Sequence, residues 1–514
     1  MVILAFVLYF ALILAVGIYF FLKSKDSGEK EYFLGGRSMG AWVTAMSAQA
    51  SDMSGWLLMG FPGSIIAFGM GKVWIGIGLA LGTAANWLFV AKRLRRFSRA
   101  SGDSITLPQY LTNRFASKSS VLKIFCAIIF LISFTVYVAS SFVAGKNVMC
   151  AVIPSLADKP MLAMGIFAVL ILAYTFLGGY KAVCWTDFFQ GLLMLIALLA
   201  VPILMTSGNF DSTYTGAFAE GVSAFGTNPF TADWRDIITG LSWGLGYFGM
   251  PHILVRFMAI EKPSMVKKSA TVAIVWVVLT LGAAIAIAVL GRTFIFQDGE
   301  SLAEILLPSG TQQNIFIVIV QGLFSPFLVG LLLAAIVAAA MSTADSQLLV
   351  ASSSFTSDIY KPLIRKEKAN DKEMLWVGRI VVVIVSVVAF VIAAAGINDA
   401  GSWTNSIMSM VENAWGLFGA SFGPVVILSL FWKRLNYVGA CTGIVVGAVV
   451  DIVWLLFFTN TIIPAVIAPT GIYEILPGFV VGLIAAVVIS LVTKAPSDEV
   501  KAIYASAVDT SIDD

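Results

Sequence analysis

Charge is scarce in this chain: only 12% of its 514 residues are Asp, Glu, Lys or Arg, about half the ~25% of soluble globular proteins. Water is therefore not its main solvent. Histidine is scarcer still, with His252 alone, which excludes most catalytic triads and histidine-based metal clusters. The four cysteines, Cys126, Cys150, Cys184 and Cys441, are scattered without metal-ligand spacing, so neither a disulfide framework nor a zinc site is expected. With no constellation of nucleophile, base and metal, the chain is not expected to be an enzyme. The small net charge of +3 calls for no nucleic-acid partner. The stretches between apolar runs are too short for a soluble signalling domain, and no obligatory protein partner is evident.

Hydrophobic residues make up 59% of the chain. Runs long enough to cross a hydrocarbon core of ~30 Å as helices recur from end to end. They predict an all-α polytopic membrane protein of about 13 transmembrane helices. The spans fall near 2–22, 39–67, 73–91, 122–145, 161–178, 184–206, 236–255, 269–291, 326–353, 375–396, 404–431, 436–458 and 475–493. The first lacks a basic flank and a cleavage pattern before it, so it reads as a retained helix. With the N-terminus outside and the C-terminus cytoplasmic, 27 of the 32 basic residues collect on the cytoplasmic side. Lys72, Lys146, Lys159, Arg235 and Arg292 remain outside, as the positive-inside rule requires of a correct topology. A bacterial-type cytoplasmic membrane is expected, with the basic run Lys92, Arg93, Arg95, Arg96 as a solvated flanking loop near anionic lipid.

Two spans are interrupted. The second carries Ala50-Ser51-Asp52-Met53-Ser54-Gly55-Trp56 at mid-membrane depth, and the seventh carries Gly244, Gly246, Gly249 and then Pro251. A single glycine in a membrane helix usually marks close packing. Loosened backbone at this depth survives only where protein or a cavity satisfies it, and matching breaks in two halves point to a binding site. The breaks lie five helices apart, and an odd spacing forces the second five-helix unit to run with inverted topology. The expected organisation is an extra helix and loop (1–38), a first repeat (39–206), a second repeat (207–431), two C-terminal helices (432–493) and a cytoplasmic tail (494–514).

Acidic residues inside a span cost roughly 2.5–3.5 kcal/mol or more and usually mark an ion path. Asp52, Asp187, Asp345 and Glu412 qualify. Asp187 reads equally as an interfacial carboxylate, and Glu412, beside Asn413, reads better as a helix-packing hydrogen bond. In the ninth span Ala339, Ser342 and Thr343 stand at i, i+3 and i+4, placing one carbonyl and two hydroxyls on one face. That face offers three oxygens to a hard cation, and the loosened backbone at Ala50–Met53 offers further carbonyls. The alternative is ordinary back-bonding of Ser and Thr to the preceding turn.

The strings Ser51 to Gly60, Trp243 to Tyr247 with Pro251-His252, and Met341-Ser342-Thr343 closely resemble the sodium/solute symporter family, and the likeness runs from Gly35 to Ser497. The resemblance implies a LeuT-type 5+5 inverted repeat and sodium-coupled uptake of a small amino acid, with L-proline favoured. Another amino acid, a sugar acid or a carboxylate is the alternative cargo. It implies a sodium site on the carbonyls of Ala50, Met53 and Ala339 and the hydroxyls of Ser342 and Thr343, with Asp52 coupling ion to substrate. The implied substrate pocket comprises Ser54, Gly55, Trp56, Tyr137, Trp243, Tyr247 and Pro251. Taken singly, each aromatic reads as lipid or core packing; their association with the breaks reverses that. Asp345 and Ser346 depart from the familiar pattern, and with Asp187 they form either a second sodium site or a hydrogen-bonded acid without its own ion.

Overall fold

A computed structural model describes residues 1–23, 29–177, 179–206, 226–296, 311–399, 401–459 and 469–509. The principal helices are α1 (Val2–Lys23), α2 (Ala41–Asp52), α3 (Phe61–Phe68), α4 (Val73–Ala85), α5 (Val121–Val152), α6 (Pro160–Leu177) and α7 (Tyr180–Met205). They continue as α8 (Trp234–Ser242), α9 (Pro251–Ala259), α10 (Val266–Phe296), α11 (Pro326–Ser354) and α12 (Asp371–Ala395). The last three are α13 (Ile407–Phe431), α14 (Tyr437–Phe458) and α15 (Ile475–Val492). The described residues contain no strand, only an isolated parallel bridge between Met39 and Ile260.

Ten helices among the described residues are long and apolar enough to cross a membrane: α1, α4 with its continuation to Ala100, α5, α7 and α10 to α15. Helix α6 is a shorter apolar helix, and the pairs α2/α3 and α8/α9 are broken within the apolar layer. The helix positions follow the hydrophobic runs closely, because in lipid a helix is the one open-chain form that satisfies its own backbone. Burial separates centre from periphery. In α11, 83% of the apolar window is buried, against 28% in α1, so α11 runs through the middle of the bundle and α1 along its edge.

The basic run differs from the expected solvated loop. Lys92–Ala100 is a helix, with Leu94 and Phe97 buried at i and i+3. Arg95 is itself buried and donates through Nε to the Ile260 carbonyl at 2.6 Å. Apolar residues hidden among cations give this segment a core-facing stripe that a charge count does not register.

Each break has a local cause. Helix α2 stays regular through Asp52 and ends at Met53, whose φ −85° and ψ 76° leave the helical region. The Ser54 amide bonds the Asp52 carbonyl at 3.1 Å. The Ala50 carbonyl, which that amide would satisfy in an unbroken helix, is thereby released. Between α8 and α9 the chain winds as a 3-10 turn over Trp243–Phe248 and extends at Met250, φ −77° and ψ 106°. Pro251 opens α9 at the first-turn position where its missing N–H costs nothing.

Candidate functional site

The two breaks meet at the bundle centre, against α5, α11 and α13. Ser342 Oγ donates to the released Ala50 carbonyl at 2.7 Å and lies 3.2 Å from the Ala339 carbonyl. Thr343 Oγ1, one residue on, is buried without a hydrogen-bond partner among the described residues. An orphaned hydroxyl in a dry interior is costly unless something else occupies its lone pairs. Two carbonyls thus converge on one hydroxyl, a second hydroxyl stands one residue on, and Met53 is buried at the break itself. This donor set suits a small hard cation.

Asp52 organises the other side of the break. Tyr247 donates its hydroxyl to Asp52 Oδ2 at 2.6 Å, tying α2 to the second break. The Asp52 carbonyl accepts from the Tyr137 hydroxyl at 3.2 Å and from Trp56 Nε1 at 3.4 Å. Asp52 Oδ1 has no hydrogen-bond partner among the described residues. Trp56 and Trp243 are buried with ring centroids 6.4 Å apart. Ser54 Oγ accepts from the Trp56 amide at 3.4 Å. Gly55 faces α5 so closely that a Cβ there would stand 2.7 Å from the Ala144 Cβ. Pro251 is buried at the start of α9, with no polar contact to the others.

The acids sort differently. Asp187 is fully buried and paired with Arg256, whose Nη2 lies 3.2 Å from Asp187 Oδ2 and 2.5 Å from Ser346 Oγ. Ser47 Oγ also donates to Asp187 Oδ2, at 2.7 Å. Ser346 Oγ is 3.5 Å from the same oxygen, whereas neither oxygen of Asp345 has a hydrogen-bond partner. Arg256, one residue beyond the seventh span as bounded at 236–255 and so among the basic residues expected on the cytoplasmic side, is instead 1% exposed in the core. It also donates to the His252 carbonyl, one helical turn back, at 2.8 Å. Glu412 lines a cavity, and its backbone carbonyl accepts from the Tyr473 hydroxyl at 2.7 Å.

Three further residues hold the second break open. Trp415 Nε1 donates to the Trp243 carbonyl at 2.8 Å, and Asn86 Nδ2 to the Tyr247 carbonyl at 3.0 Å. Tyr473 packs on Trp243 at 5.1 Å between centroids. Asn86 was visible as an amide inside an apolar run; Trp415 and Tyr473 carried no spacing signal, because long-range packing alone brings them here.

A cavity of about 520 Å³ leads from one face of the bundle to Trp243, past Lys72, Thr239, Gln313, Asn405 and Glu412. On the opposite face Arg37 ties several segments together. It donates to the carbonyls of Met258 and Ser104, at 2.5 and 2.7 Å, and its Nε lies 2.8 Å from Asp103.

A model of the sodium:solute symporter family matches residues 32–447. The high-affinity proline transporter PutP of Bacillus subtilis (strain 168) is 41% identical over 484 residues, 94% of this chain and 96% of the relative. The sodium/proline symporter of Escherichia coli (strain K12) is 41% identical over 482 residues, 93% and 90% of the two chains. Among solved structures, a substrate-bound, outward-open, sodium-coupled sialic acid symporter superposes with TM-score 0.75 at 20% identity, covering 96% of this chain and 98% of that one. MhsT in complex with L-phenylalanine superposes with TM-score 0.53 at 14% identity, covering 87% and 97%. At these identities the two structures bear on the fold, which is the LeuT type.

Proposed function

Because the chain belongs to the sodium:solute symporter family, we propose that it is an integral membrane symporter that draws L-proline into the cell with sodium. The single observation that carries this reading is the meeting of the Ala50 and Ala339 carbonyls with Ser342 Oγ beside the orphaned Thr343 Oγ1. In our reading sodium binds these oxygens together with the Met53 carbonyl. A bound ion fixes the end of α2, and with it the orientation of Asp52 and its partner Tyr247. The substrate carboxylate meets backbone N–H groups at the broken helix ends around Ser54 and Gly55. The pyrrolidine ring lies against Trp56, Tyr137, Trp243 and Tyr247, with Pro251 at the edge.

We place the N-terminus outside and the C-terminus in the cytoplasm of a bacterial-type cell, with the open cavity facing out. Counting α6 and the two broken pairs as crossings gives 13, divided at 38, 206, 431 and 493 as the spacing of the breaks suggests. Sodium occupancy and proline then raise each other's affinity before the two repeats rock and the Arg37 contacts part. One sodium carried with a neutral zwitterion moves one charge, which at ~100 mV supplies roughly 2.3 kcal/mol. A tenfold sodium gradient adds ~1.4 kcal/mol, so accumulation of several hundred-fold is within reach. A second sodium at Asp187, Asp345 and Ser346 requires the Arg256 guanidinium to leave the space between Asp187 and Ser346.

The reading is tested by uptake of labelled proline into proteoliposomes under an inward sodium gradient. Accumulation with sodium and none with potassium is expected; equal uptake in both ends the proposal. Competition by other amino acids, sugar acids and carboxylates distinguishes proline from the alternative cargoes.

A further inference from the structure

Helices α13, α14 and α15 pack through glycines, and carboxylic acids sit in the seam between them. Asp451 lies on α14 and Glu474 immediately before α15, 1% and 2% exposed. A Cβ on Gly416 of α13 would stand 3.2 Å from Asp451 Oδ1 and 3.3 Å from Glu474 Oε1. The two oxygens therefore flank one point and lie at most about 6.5 Å apart. Both Asp451 oxygens and Glu474 Oε1 are buried without a hydrogen-bond partner among the described residues.

Among the described residues no neighbouring cation neutralises them. Lys72, across the cavity near Glu412, is paired with Asp236 at 3.2 Å. Arg235 approaches Gly471, and its guanidinium lies over the Trp234 ring at 5.3 Å. Among the described residues, the other titratable groups near the pair are Glu412 on α13 and Tyr473 beside Glu474. Ionised carboxylates in a dry site without partners are strongly disfavoured, and two of them also repel each other. The site therefore calls for positive charge of its own. Three orphaned oxygens on two side chains make a poor cage for a metal ion, but two oxygens suffice for a proton.

We propose that Asp451 and Glu474 form a buried proton-binding pair outside the sodium and substrate residues, and that loss of its proton weakens substrate binding. The path is short. Glu474 follows Tyr473, whose ring packs on Trp243 and whose hydroxyl holds the Glu412 carbonyl. Glu412 lines the open cavity and gives the proton an exit to water. Charging the pair draws solvent into the seam and displaces Tyr473 from Trp243. This second step rests on the reading of Trp243 as a wall of the substrate pocket. The sign follows from linkage: affinity is full while the pair is protonated and falls as pH rises through its titration, by up to about tenfold per pH unit.

The test pairs two measurements on the full-length purified protein. Infrared difference spectra of wild type against Asp451→Asn/Glu474→Gln should show a buried carboxylic-acid carbonyl band, present at neutral pH in wild type and lost in the variant. Absence of that band overturns the proton site, as does a variant that binds one sodium fewer per chain. Sodium-dependent proline binding should weaken in wild type as pH rises through the titration of the pair, by up to about tenfold per pH unit, and stay flat in the variant. Identical pH profiles overturn the coupling to substrate. Should the double variant fail to fold, Glu474→Gln alone carries both measurements. Failure of wild type to bind proline with sodium at any pH counts against the substrate reading, while the infrared result still decides the proton site.

Discussion

Replacing Thr343 by valine keeps the shape of the side chain and deletes one oxygen. In the structure that oxygen has no hydrogen-bond partner, although Ser342 beside it bonds the Ala50 carbonyl at 2.7 Å. No protein–protein bond is lost, and removing a buried unsatisfied hydroxyl relieves a penalty of about 1–3 kcal/mol. The variant should therefore be as stable as wild type, or more so, in sodium-free buffer. With sodium bound the balance reverses, because the ion loses one oxygen ligand, a contact to a charge of roughly 1.5–3 kcal/mol. At 1.4 kcal/mol per tenfold, the sodium concentration for half-maximal uptake should rise about 10- to 150-fold. Thr343→Ser, which restores the hydroxyl, should recover most of the loss. The assay is the initial rate of proline uptake into proteoliposomes against external sodium, with thermal unfolding of the same preparations in sodium-free buffer. A half-saturating sodium concentration within twofold of wild type would refute a role for this oxygen; so would a variant already destabilised without sodium.

Other positions give separate outcomes. Gly246→Ala places a Cβ 1.9 Å from Trp415 Nε1, which forces that indole off the Trp243 carbonyl, so uptake should be lost although the protein still inserts and folds. Tyr247→Phe removes the donor to Asp52 Oδ2, a hydrogen bond to a charged group of ~1.5–3 kcal/mol, and should raise the half-saturating proline concentration by at least about tenfold. Arg256→Met leaves Asp187 buried and unpaired, which should cost about 3–5 kcal/mol in detergent unfolding experiments, with much of it recovered in Arg256→Met/Asp187→Asn.

The helix positions were legible in the sequence because lipid demands long apolar runs, and those runs coincide with the helices found. Both breaks were legible for a related reason: Asp52 and Pro251 are residues that an uninterrupted membrane helix does not accommodate. The detail of the first break was not. Helix α2 continues through Asp52 and turns at Met53, a matter of one amide bonding two residues back. The basic segment after α4 was misread because its charges outweigh Leu94 and Phe97 in any average, although those two decide its packing. Arg256 was assigned to a loop because the apolar run ends beside it. Its partners Asp187 and Ser346 lie far off in sequence, and no local pattern announces them. Trp415 and Tyr473 are of the same kind, ordinary aromatics whose positions against Trp243 exist only in the assembled bundle.

The central claim is that an ion held between the end of α2 and the Ser342 face of α11 creates the affinity for the amino acid. Equilibrium binding of labelled L-proline to the purified protein, in sodium against potassium at equal ionic strength, tests it most directly, with Asp52→Asn as the companion. Saturable binding in sodium, none in potassium, and loss of the sodium response in Asp52→Asn are expected. Equal binding in potassium and sodium would contradict it.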